Sequence, residues 1–285
     1  MNVVDTIGNT PLIKLKNGIF AKLEYFNPTG SIKDRTAWGM LSDAMKKGSL
    51  NRAKGIVEPT SGNTGISLAF LGAYFNIPVK IVMPENMSRM RIRMMESFGA
   101  EVILTDAKKG MSGSIEVAEQ LQKEGFLFLN QFSNPANPAI HYETTADEII
   151  SAIEVDIFIC GIGTGGTFSG VAKRLKEINP SCMCVAVEPE GSAYLSRGVK
   201  GLHKIQGLGA GFKPDVLDES LIDEIVAVGD DEALANFDEL SKDEGIFAGI
   251  SSGAVYGVAK EFKKRYSDKN ILIIFPDSKD RYMEL

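Results

Sequence analysis

The chain has 285 residues, of which 44% are apolar and 24% charged, a composition typical of a globular protein with one large domain or two packed ones. Its net charge of −6 argues against a nucleic-acid-binding surface, and its apolar runs are too short for a membrane span. Its N-terminus lacks a secretory pattern, and three cysteines are too few for a disulfide framework. We therefore expect a cytoplasmic protein that acts on small molecules, with no nucleic-acid or membrane partner.

Short apolar runs alternate with amphipathic stretches along almost the whole chain. The apolar runs predict strands over residues 19–25, 55–58, 79–83, 101–104, 126–131, 156–161, 183–188, 224–228 and 270–275. Between them, capping residues and terminal glycines predict helices over residues 31–47, 88–98, 111–124, 168–178 and 231–244. This alternation predicts an α/β fold with parallel sheets, and the loop 134–138 is the best boundary between two α/β units.

The chain contains only two histidines, His141 and His203, so we expect its acid–base chemistry to rest on other groups and expect no histidine-rich metal site. His141 is interpreted as a hydrogen-bonded structural residue. The 29 glycines, by contrast, cluster in short loops beside apolar runs, where a backbone can approach an anionic ligand closely. These loops are therefore the first candidates for binding sites.

One glycine-rich loop follows the predicted strand 156–161 and precedes a predicted helix. Consecutive main-chain N–H groups at a helix start can cradle a phosphate. Gly161, Gly163 and Gly166 also satisfy the dinucleotide pattern G-x-G-x-x-G, and Glu188 ends the next strand, where a ribose-binding acid would be expected. An NAD-dependent oxidoreductase is therefore one hypothesis, and a turn that only allows close packing of strand and helix is another.

Two further elements carry polar groups at predicted helix starts. Residues 58–65 join a strand to a helix and are rich in hydroxyl and amide groups, which suit a carboxylate or phenolate oxygen or an ordinary helix cap. Lys33 falls in the first turn of a helix, where the helix dipole lowers its pKa if it is also desolvated. Such a lysine is a candidate for a Schiff base and for proton transfer, although most lysines are solvated surface residues.

Taken together, these elements resemble the cysteine synthase family, the O-acetylserine sulfhydrylases among the fold type II pyridoxal-phosphate enzymes. The matching motifs are collinear: T-I-G-N-T-P-L-I-K-L (6–15), P-T-G-S-I-K-D-R (28–35), T-S-G-N-T-G (60–65), N-Q-F-S-N-P-A-N-P (130–138), H-Y-E-T-T (141–145), G-T-G-G-T (163–167), H-K-I-Q-G-L-G-A-G-F (203–212) and G-I-S-S-G-A (249–254). The resemblance implies two parallel-sheet α/β domains like those of the tryptophan synthase β-subunit, with the active site in the cleft between them. Domain 1–135 would carry the lysine and the substrate loop, and domain 136–285 the phosphate loop, with the N-terminal 30 or so residues packed on the second domain.

The resemblance also implies a role for each matching residue. Lys33 would carry the cofactor, pyridoxal 5′-phosphate, and act as the acid–base group at the substrate α-carbon. The other cofactor-binding residues would be Asn63 at the 3′-oxygen, Gly163, Thr164, Gly165, Gly166 and Thr167 at the phosphate, and Ser251 at the pyridine nitrogen. The substrate carboxylate would be held by Thr60, Ser61, Thr64 and Gln131. Residues 207–211 would belong to a mobile loop.

The activity that the resemblance implies is cysteine synthesis, in which O-acetyl-L-serine and sulfide give L-cysteine and acetate by β-replacement through an α-aminoacrylate. O-phosphoserine sulfhydrylase and a cystathionine β-synthase-like activity are alternatives that the sequence leaves open. The resemblance further implies that the protein forms a homodimer and that serine acetyltransferase is a candidate partner. A catalytically silent scaffold for that partner is the non-enzymatic alternative.

Two segments depart from the family's usual pattern. Residues 276–282 read P-D-S-K-D-R-Y where the family usually has P-S-x-G-E-R-Y, so that Asp277 replaces a serine and Lys279 replaces a glycine. We therefore expect the chain near the cofactor's pyridine ring to differ in local geometry from that of the family. The second segment is 87–96, and its methionines, Met90, Met94 and Met95, are interpreted as core filler on a helix.

Overall fold

The computed structural model describes residues 1–283 as alternating strands and helices. The strands are β1 (Leu12–Lys14), β2 (Phe20–Leu23), β3 (Ile56–Pro59), β4 (Val79–Pro84), β5 (Glu101–Thr105), β6 (Leu127–Phe128), β7 (Ile157–Gly161), β8 (Met183–Pro189), β9 (Glu224–Val228) and β10 (Ile271–Phe275). The helices are α1 (Lys33–Lys46), α2 (Asn63–Phe75), α3 (Arg89–Ser97), α4 (Gly110–Lys123), α5 (Ala136–Ile140), α6 (Ala146–Ile150), α7 (Gly166–Ile178), α8 (Tyr194–Arg197), α9 (Asp230–Asp243) and α10 (Ile250–Arg265). A π-helical turn, His141–Thr145, joins α5 to α6. Within residues 1–283, none of the helices has both the length and the apolar character that a bilayer crossing requires.

The strands of residues 1–283 form two sheets. One has the order β1-β2-β10-β7-β8-β9 and is parallel except for β1, which runs antiparallel to β2. The other has the order β5-β4-β3-β6 and is parallel throughout. The two sheets with their connecting helices confirm the predicted α/β fold class.

The chain divides into two compact units. The large unit consists of Met1–Ile32 together with the chain from Pro138 onward, and it contains the six-stranded sheet. The small unit is Lys33–Asn137 and contains the four-stranded sheet. The first strands of the chain, β1 and β2, therefore lie in the same sheet as the last strand, β10.

The central strands of the large unit are buried on both faces, which explains their uninterrupted apolar sequences. Along β10, Ile271, Ile273 and Phe275 belong to a core shared with α9 and α10. Leu272 and Ile274 point to the opposite face and belong to a core shared with α6 and α7. Helices therefore cover both faces of this part of the sheet.

The sheet of the small unit is covered by α4 on one face and by α2 on the other. Gly65 permits the close approach of α2, because a Cβ at this position would lie 3.0 Å from Met95 and 3.2 Å from Ile81. Met95 is buried, and Met90 and Met94 are half-buried. Met95 therefore contributes to the core, as the sequence predicts, whereas the other two methionines of α3 are only partly covered.

Several elements differ from the sequence-based expectation. The strand predicted over 126–131 is only β6, because the chain turns at Asn130, where φ is +52°. The short strand β1 and the helices α5, α6, α8 and α10 had no counterpart among the predicted elements. Recurring glycines weaken the helical signal of α10, and one of them has a packing role: a Cβ on Gly253 would lie 2.6 Å from the main-chain nitrogen of Phe237 in α9.

Candidate active site

Lys33 is the first residue of α1, in the first-turn position that the sequence predicts. The residues immediately before it are anchored by main-chain bonds. Ile32 N–H donates to the Pro276 carbonyl at 2.8 Å, and Ser31 forms an antiparallel bridge with Asp277. The Lys33 side chain is half-buried, whereas the next three residues of the helix are buried. The segment that immediately precedes α1 is therefore held by main-chain bonds.

The second polar loop lies at the carboxyl end of β3 and leads into α2, which begins at Asn63. Gly62 is the N-cap and contributes no side chain to the N–H groups of the first turn. Thr60 N–H donates to the Val82 carbonyl at 3.0 Å, and Gly62 N–H donates to Thr60 Oγ1 at 3.3 Å. Ser61 and Asn63 are half-buried. Main-chain N–H groups at a helix start, with hydroxyls beside them, form a donor set that suits a carboxylate.

Gln131 follows β6, which pairs in parallel with β3, so it lies at the same edge of the sheet as the Thr60 loop. Thr64 Oγ1 donates to Gln131 Oε1 at 2.7 Å, and both side chains are buried. Because the side-chain carbonyl of Gln131 accepts this bond, its amide group presents the donor end to other partners. The structure thus brings together two of the residues predicted for the substrate carboxylate.

A buried carboxylate that sequence reasoning did not assign to the site supports this pair. Glu58 Oε1 accepts the Gln131 N–H at 3.0 Å, and Oε2 accepts the Asn130 N–H at 2.9 Å. Burial raises the pKa of Glu58 to about 7, and the two N–H bonds oppose this rise. The sequence signal for this residue is an acid inside an otherwise apolar strand.

The glycine-rich loop joins β7 to α7, which begins at Gly166. Gly165 has φ +83°, in the left-handed region that favours glycine, and a Cβ there would lie 2.8 Å from Leu217 Cβ. A Cβ on Gly163 would collide with the carbonyl of Gly207. Thr164 is buried, and its Oγ1 accepts the Gly166 N–H at 3.4 Å. The loop therefore presents main chain at a helix start, as a phosphate cradle requires.

His141 holds the last residue of this loop. Its Nε2 lies 3.3 Å from Thr167 Oγ1, and its Nδ1 lies 3.0 Å from Thr145 Oγ1. The ring is fully buried, and Gly170 in α7 lies so close that a Cβ there would be 2.8 Å from His141 Cβ. These contacts agree with the interpretation of His141 as a structural residue and add that it contacts a hydroxyl of the glycine-rich loop.

Ser251 is the second residue of α10, and both it and Ser252 are buried. Among the described residues, nothing forms a hydrogen bond with Ser252 Oγ. A buried hydroxyl without a hydrogen bond is unusual in a folded protein, because buried polar groups nearly always have a hydrogen-bond partner. The start of α10 therefore has the capacity to bind one more polar group.

Asp277 and Lys279, the two atypical residues of the segment 276–282, both make side-chain hydrogen bonds. The carbonyl of Asp277 accepts the Gly249 N–H at 2.9 Å, and Tyr282 Oη donates to Asp277 Oδ2 at 2.7 Å. Lys279 Nζ donates to Asp238 Oδ1 at 3.0 Å in α9. Gly249 is the N-cap of α10, so the atypical segment holds the turn that precedes Ser251.

Glu188 does not present its carboxylate to a ligand. It is buried, and its two oxygens accept the Leu195 N–H at 2.9 Å and the Ser196 N–H at 3.0 Å. An NAD site would need this acid for the ribose hydroxyl. The structure therefore argues against the dinucleotide interpretation of Gly161, Gly163 and Gly166.

Comparison with known proteins assigns the class. Residues 3–277 match the family described as pyridoxal-phosphate dependent enzyme. Cysteine synthase of Staphylococcus aureus is 43% identical over 99% of this chain and 95% of its own length, and cysteine synthase of Buchnera aphidicola is 45% identical over 98% of this chain and 92% of its own. A hydrogen sulfide-producing enzyme of Fusobacterium nucleatum has a similar crystal structure, with a TM-score of 0.94, 47% identity and 99% coverage of both chains.

The chain therefore belongs to the pyridoxal-phosphate-dependent enzymes. Within that class, its near full-length similarity assigns it to the cysteine synthase family, which has fold type II. Its cofactor is pyridoxal 5′-phosphate. The residues present fit this group, because the loop around Gly163 and Gly165 has no room for side chains and leads directly into the N-terminus of α7, where a phosphate binds favourably.

Proposed function

We propose that this protein is a cysteine synthase that converts O-acetyl-L-serine and sulfide to L-cysteine and acetate. The observation that carries the proposal is the near full-length similarity to proteins named cysteine synthase in a chain that keeps the lysine at the start of α1. O-phospho-L-serine or L-serine as donor, and homocysteine as nucleophile, are the alternatives that the experiment below separates.

The cofactor would be held by residues from several elements. Lys33 would bind it covalently through Nζ, and Asn63 would donate to its 3′-oxygen. The main chain and hydroxyls of the phosphate loop, namely Gly163, Thr164, Gly165, Gly166 and Thr167, would bind its phosphate. Ser251 would face its pyridine nitrogen. A hydroxyl there, in place of a carboxylate, leaves that nitrogen neutral, which favours elimination at the β-carbon.

When bound, pyridoxal phosphate withdraws electrons from the α-carbon of an amino acid, which makes the α-proton acidic and allows the β-substituent to leave. The chain's own contribution at that carbon is Lys33 Nζ, which would take the α-proton in the first half-reaction and return it in the second. One lysine then performs both proton transfers, and the reaction follows ping-pong kinetics.

The substrate carboxylate would be bound by Thr60, Ser61, Thr64 and Gln131. The observed bond from Thr64 Oγ1 to Gln131 Oε1 supports this proposal, because it orients the amide of Gln131 as a donor. Donors placed in advance lower the entropic cost of holding the amino acid in the reactive orientation. Closure of the Thr60 loop on the carboxylate would also exclude water from the reaction.

The oligomeric state, the cellular location and the partner are proposed from the family resemblance alone. We expect a homodimer, a cytoplasmic location and serine acetyltransferase as a partner. Sedimentation velocity on the purified protein tests the dimer. Co-purification with a serine acetyltransferase from the source organism tests the partnership.

The function is tested with the purified holoenzyme and the variant Lys33→Ala. The wild type should form L-cysteine from O-acetyl-L-serine and sulfide and should prefer this pair over the other donors and over homocysteine. Lys33→Ala should lose at least about a thousandfold in turnover and should no longer be labelled by borohydride reduction. Lys46→Ala, at the exposed end of the same helix, is the matched control and should keep full activity. A colourless protein without turnover would contradict the proposal.

A further inference from the structure

Glu58 is an acid in an apolar environment. It is 1% exposed, its register partner on β4 is Ile81, and α2, which covers this face of the sheet, contains no charged residue. Lys80, the charged residue of β4, alternates to the opposite face and pairs with Glu101 at 2.8 Å. The strand on the other side, β6, is Leu127–Phe128 and carries no charge. A carboxylate here costs free energy unless hydrogen bonds satisfy it.

Within residues 1–283, the hydrogen bonds that the Glu58 carboxylate accepts come from one turn. Its two oxygens accept the N–H groups of Asn130 and Gln131, at 2.9 and 3.0 Å. On the other side of the turn, Asn137 Nδ2 donates to the Gln131 carbonyl at 2.8 Å. Asn130 is in the left-handed region, with φ +52°, which asparagine adopts more readily than most other residues and which turns the chain after β6. The main chain of Gln131 is thus held at both its N–H and its carbonyl.

We propose that Glu58 is a positioning residue for the substrate carboxylate: by fixing the main chain of Gln131, it places the side-chain amide that Thr64 also holds. This inference rests on the proposed role of Gln131 in binding the substrate. Hydrogen bonds from N–H groups to an ionised carboxylate are about twice as strong as neutral ones, and two such bonds to adjacent residues fix the orientation of the turn as well as its distance from β3. A binding group displaced by a fraction of an ångström loses much of its contribution.

The experiment compares Glu58→Gln, Glu58→Asp and the control Glu101→Gln as holoenzymes. Glutamine keeps the size of the side chain but presents an NH₂ group to one of the two N–H donors. Aspartate keeps the charge on a shorter stem. Glu101 is an exposed carboxylate on β5 of the same sheet, so its variant removes a charge without touching the turn. Assays at a pH well above about 7 keep Glu58 ionised in the wild type.

We expect Glu58→Gln to raise KM for O-acetyl-L-serine by about tenfold or more, with cofactor content and kcat within about twofold of the wild type. Glu58→Asp should restore part of the loss, and Glu101→Gln should behave as the wild type. O-acetylethanolamine, which lacks the carboxylate, is the discriminating probe. Its affinity, read from the absorbance of the bound cofactor, should be the same in the wild type and in Glu58→Gln.

A second measurement separates positioning from general destabilisation. In a Gln131→Ala background, Glu58→Gln should add little to KM, because the side chain that Glu58 positions is gone. Additive effects, an unchanged KM in Glu58→Gln, or equal losses for O-acetyl-L-serine and O-acetylethanolamine would each overturn the inference. If Glu58→Gln does not yield folded protein, Glu58→Asp serves for the same comparisons. A wild-type holoenzyme that neither binds nor converts O-acetyl-L-serine would instead contradict the proposed function.

Discussion

His141 Nε2 lies 3.3 Å from Thr167 Oγ1, and this contact joins the π-helical turn after α5 to the first turn of α7. The same ring is held on its other side by Thr145 Oγ1 at 3.0 Å. The buried imidazole therefore orients the hydroxyl of Thr167, in the loop that we propose binds the cofactor phosphate. The effect of His141 on the cofactor is expected to pass through Thr167.

Replacement of His141 by leucine should weaken the binding of pyridoxal phosphate by about tenfold, because Thr167 loses the partner that orients it. Equilibrium dialysis or a titration of the cofactor-free enzyme measures this affinity. Tyr142→Phe is the control, since Tyr142 is the next residue and its hydroxyl bonds to Glu177 on the surface. Cofactor affinity in His141→Leu equal to that of the wild type would show that Thr167 does not depend on the ring.

Replacement of Gly165 by alanine should abolish tight cofactor binding. Gly165 has φ +83°, and the new Cβ would lie 2.8 Å from Leu217 Cβ, so the loop must move away from its cradle geometry. Gly198→Ala is a matched control, because Gly198 also has a positive φ, +67°, but has open space around the added Cβ. Gly198→Ala should lower the free energy of unfolding by only about 1 kcal/mol, and the variant should still bind the cofactor. Equal losses of cofactor in both variants would show that backbone strain, and not the collision with Leu217, determines the effect.

Local signals in the sequence were sufficient for most elements of the fold. The central strands are buried on both faces, so their apolar runs were readable, and Ser88 was readable as the N-cap of α3, where its hydroxyl accepts the Arg91 N–H. The helix α10 was not predicted, because Gly253 and Gly257 lower its helix propensity. Both glycines are needed for the close approach of α9, which the local sequence does not reveal. The strand predicted over 126–131 ends early because Asn130 and Gln131 direct their N–H groups to Glu58, a partner 72 and 73 residues away in sequence.

In the candidate site, too, some features follow from local sequence signals and others from long-range contacts. The positions of Lys33 and of the Gly163–Gly166 turn at helix starts follow from local patterns of glycine, capping residues and apolar periodicity. The bond between Thr64 and Gln131 spans 67 residues, and only the family resemblance suggested that both belong to one site. No local pattern indicates that Glu58 or His141 supports a binding loop, because these roles arise from long-range packing.

Replacement of Lys279 by alanine should destabilise the protein by about 1–2 kcal/mol. The Lys279 ammonium donates to Asp238 Oδ1 and to Ser241 Oγ, lies 3.9 Å from the centre of the Phe237 ring, and is 12% exposed. Lys242→Ala is the matched control, because Lys242 also pairs with Asp238 but is 74% exposed. Urea unfolding of the two variants measures the difference, and the control should lie within about 0.5 kcal/mol of the wild type. A loss in Lys279→Ala no larger than in the control would mean that the contacts of this segment with α9 contribute little.

The stability of the protein should fall as pH rises from about 4.5 to about 7, owing to Glu58. In the unfolded chain this carboxyl titrates near its ordinary value of 4.5, and in the folded protein burial raises its pKa to about 7. Between these values the folded state binds more protons than the unfolded state, so the free energy of unfolding decreases with pH and then levels off above about 7. The size of this contribution is on the order of 3 kcal/mol.

Urea unfolding of the holoenzyme at several pH values between about 5 and about 8 measures the slope. The variant Glu58→Gln does not titrate at this position and should show a flatter profile than the wild type, while Glu101→Gln should retain the slope because its carboxylate is exposed. A wild-type profile that rises with pH over this range, with the same slope in Glu58→Gln, would mean that the two N–H bonds from Asn130 and Gln131 outweigh desolvation and keep Glu58 ionised throughout.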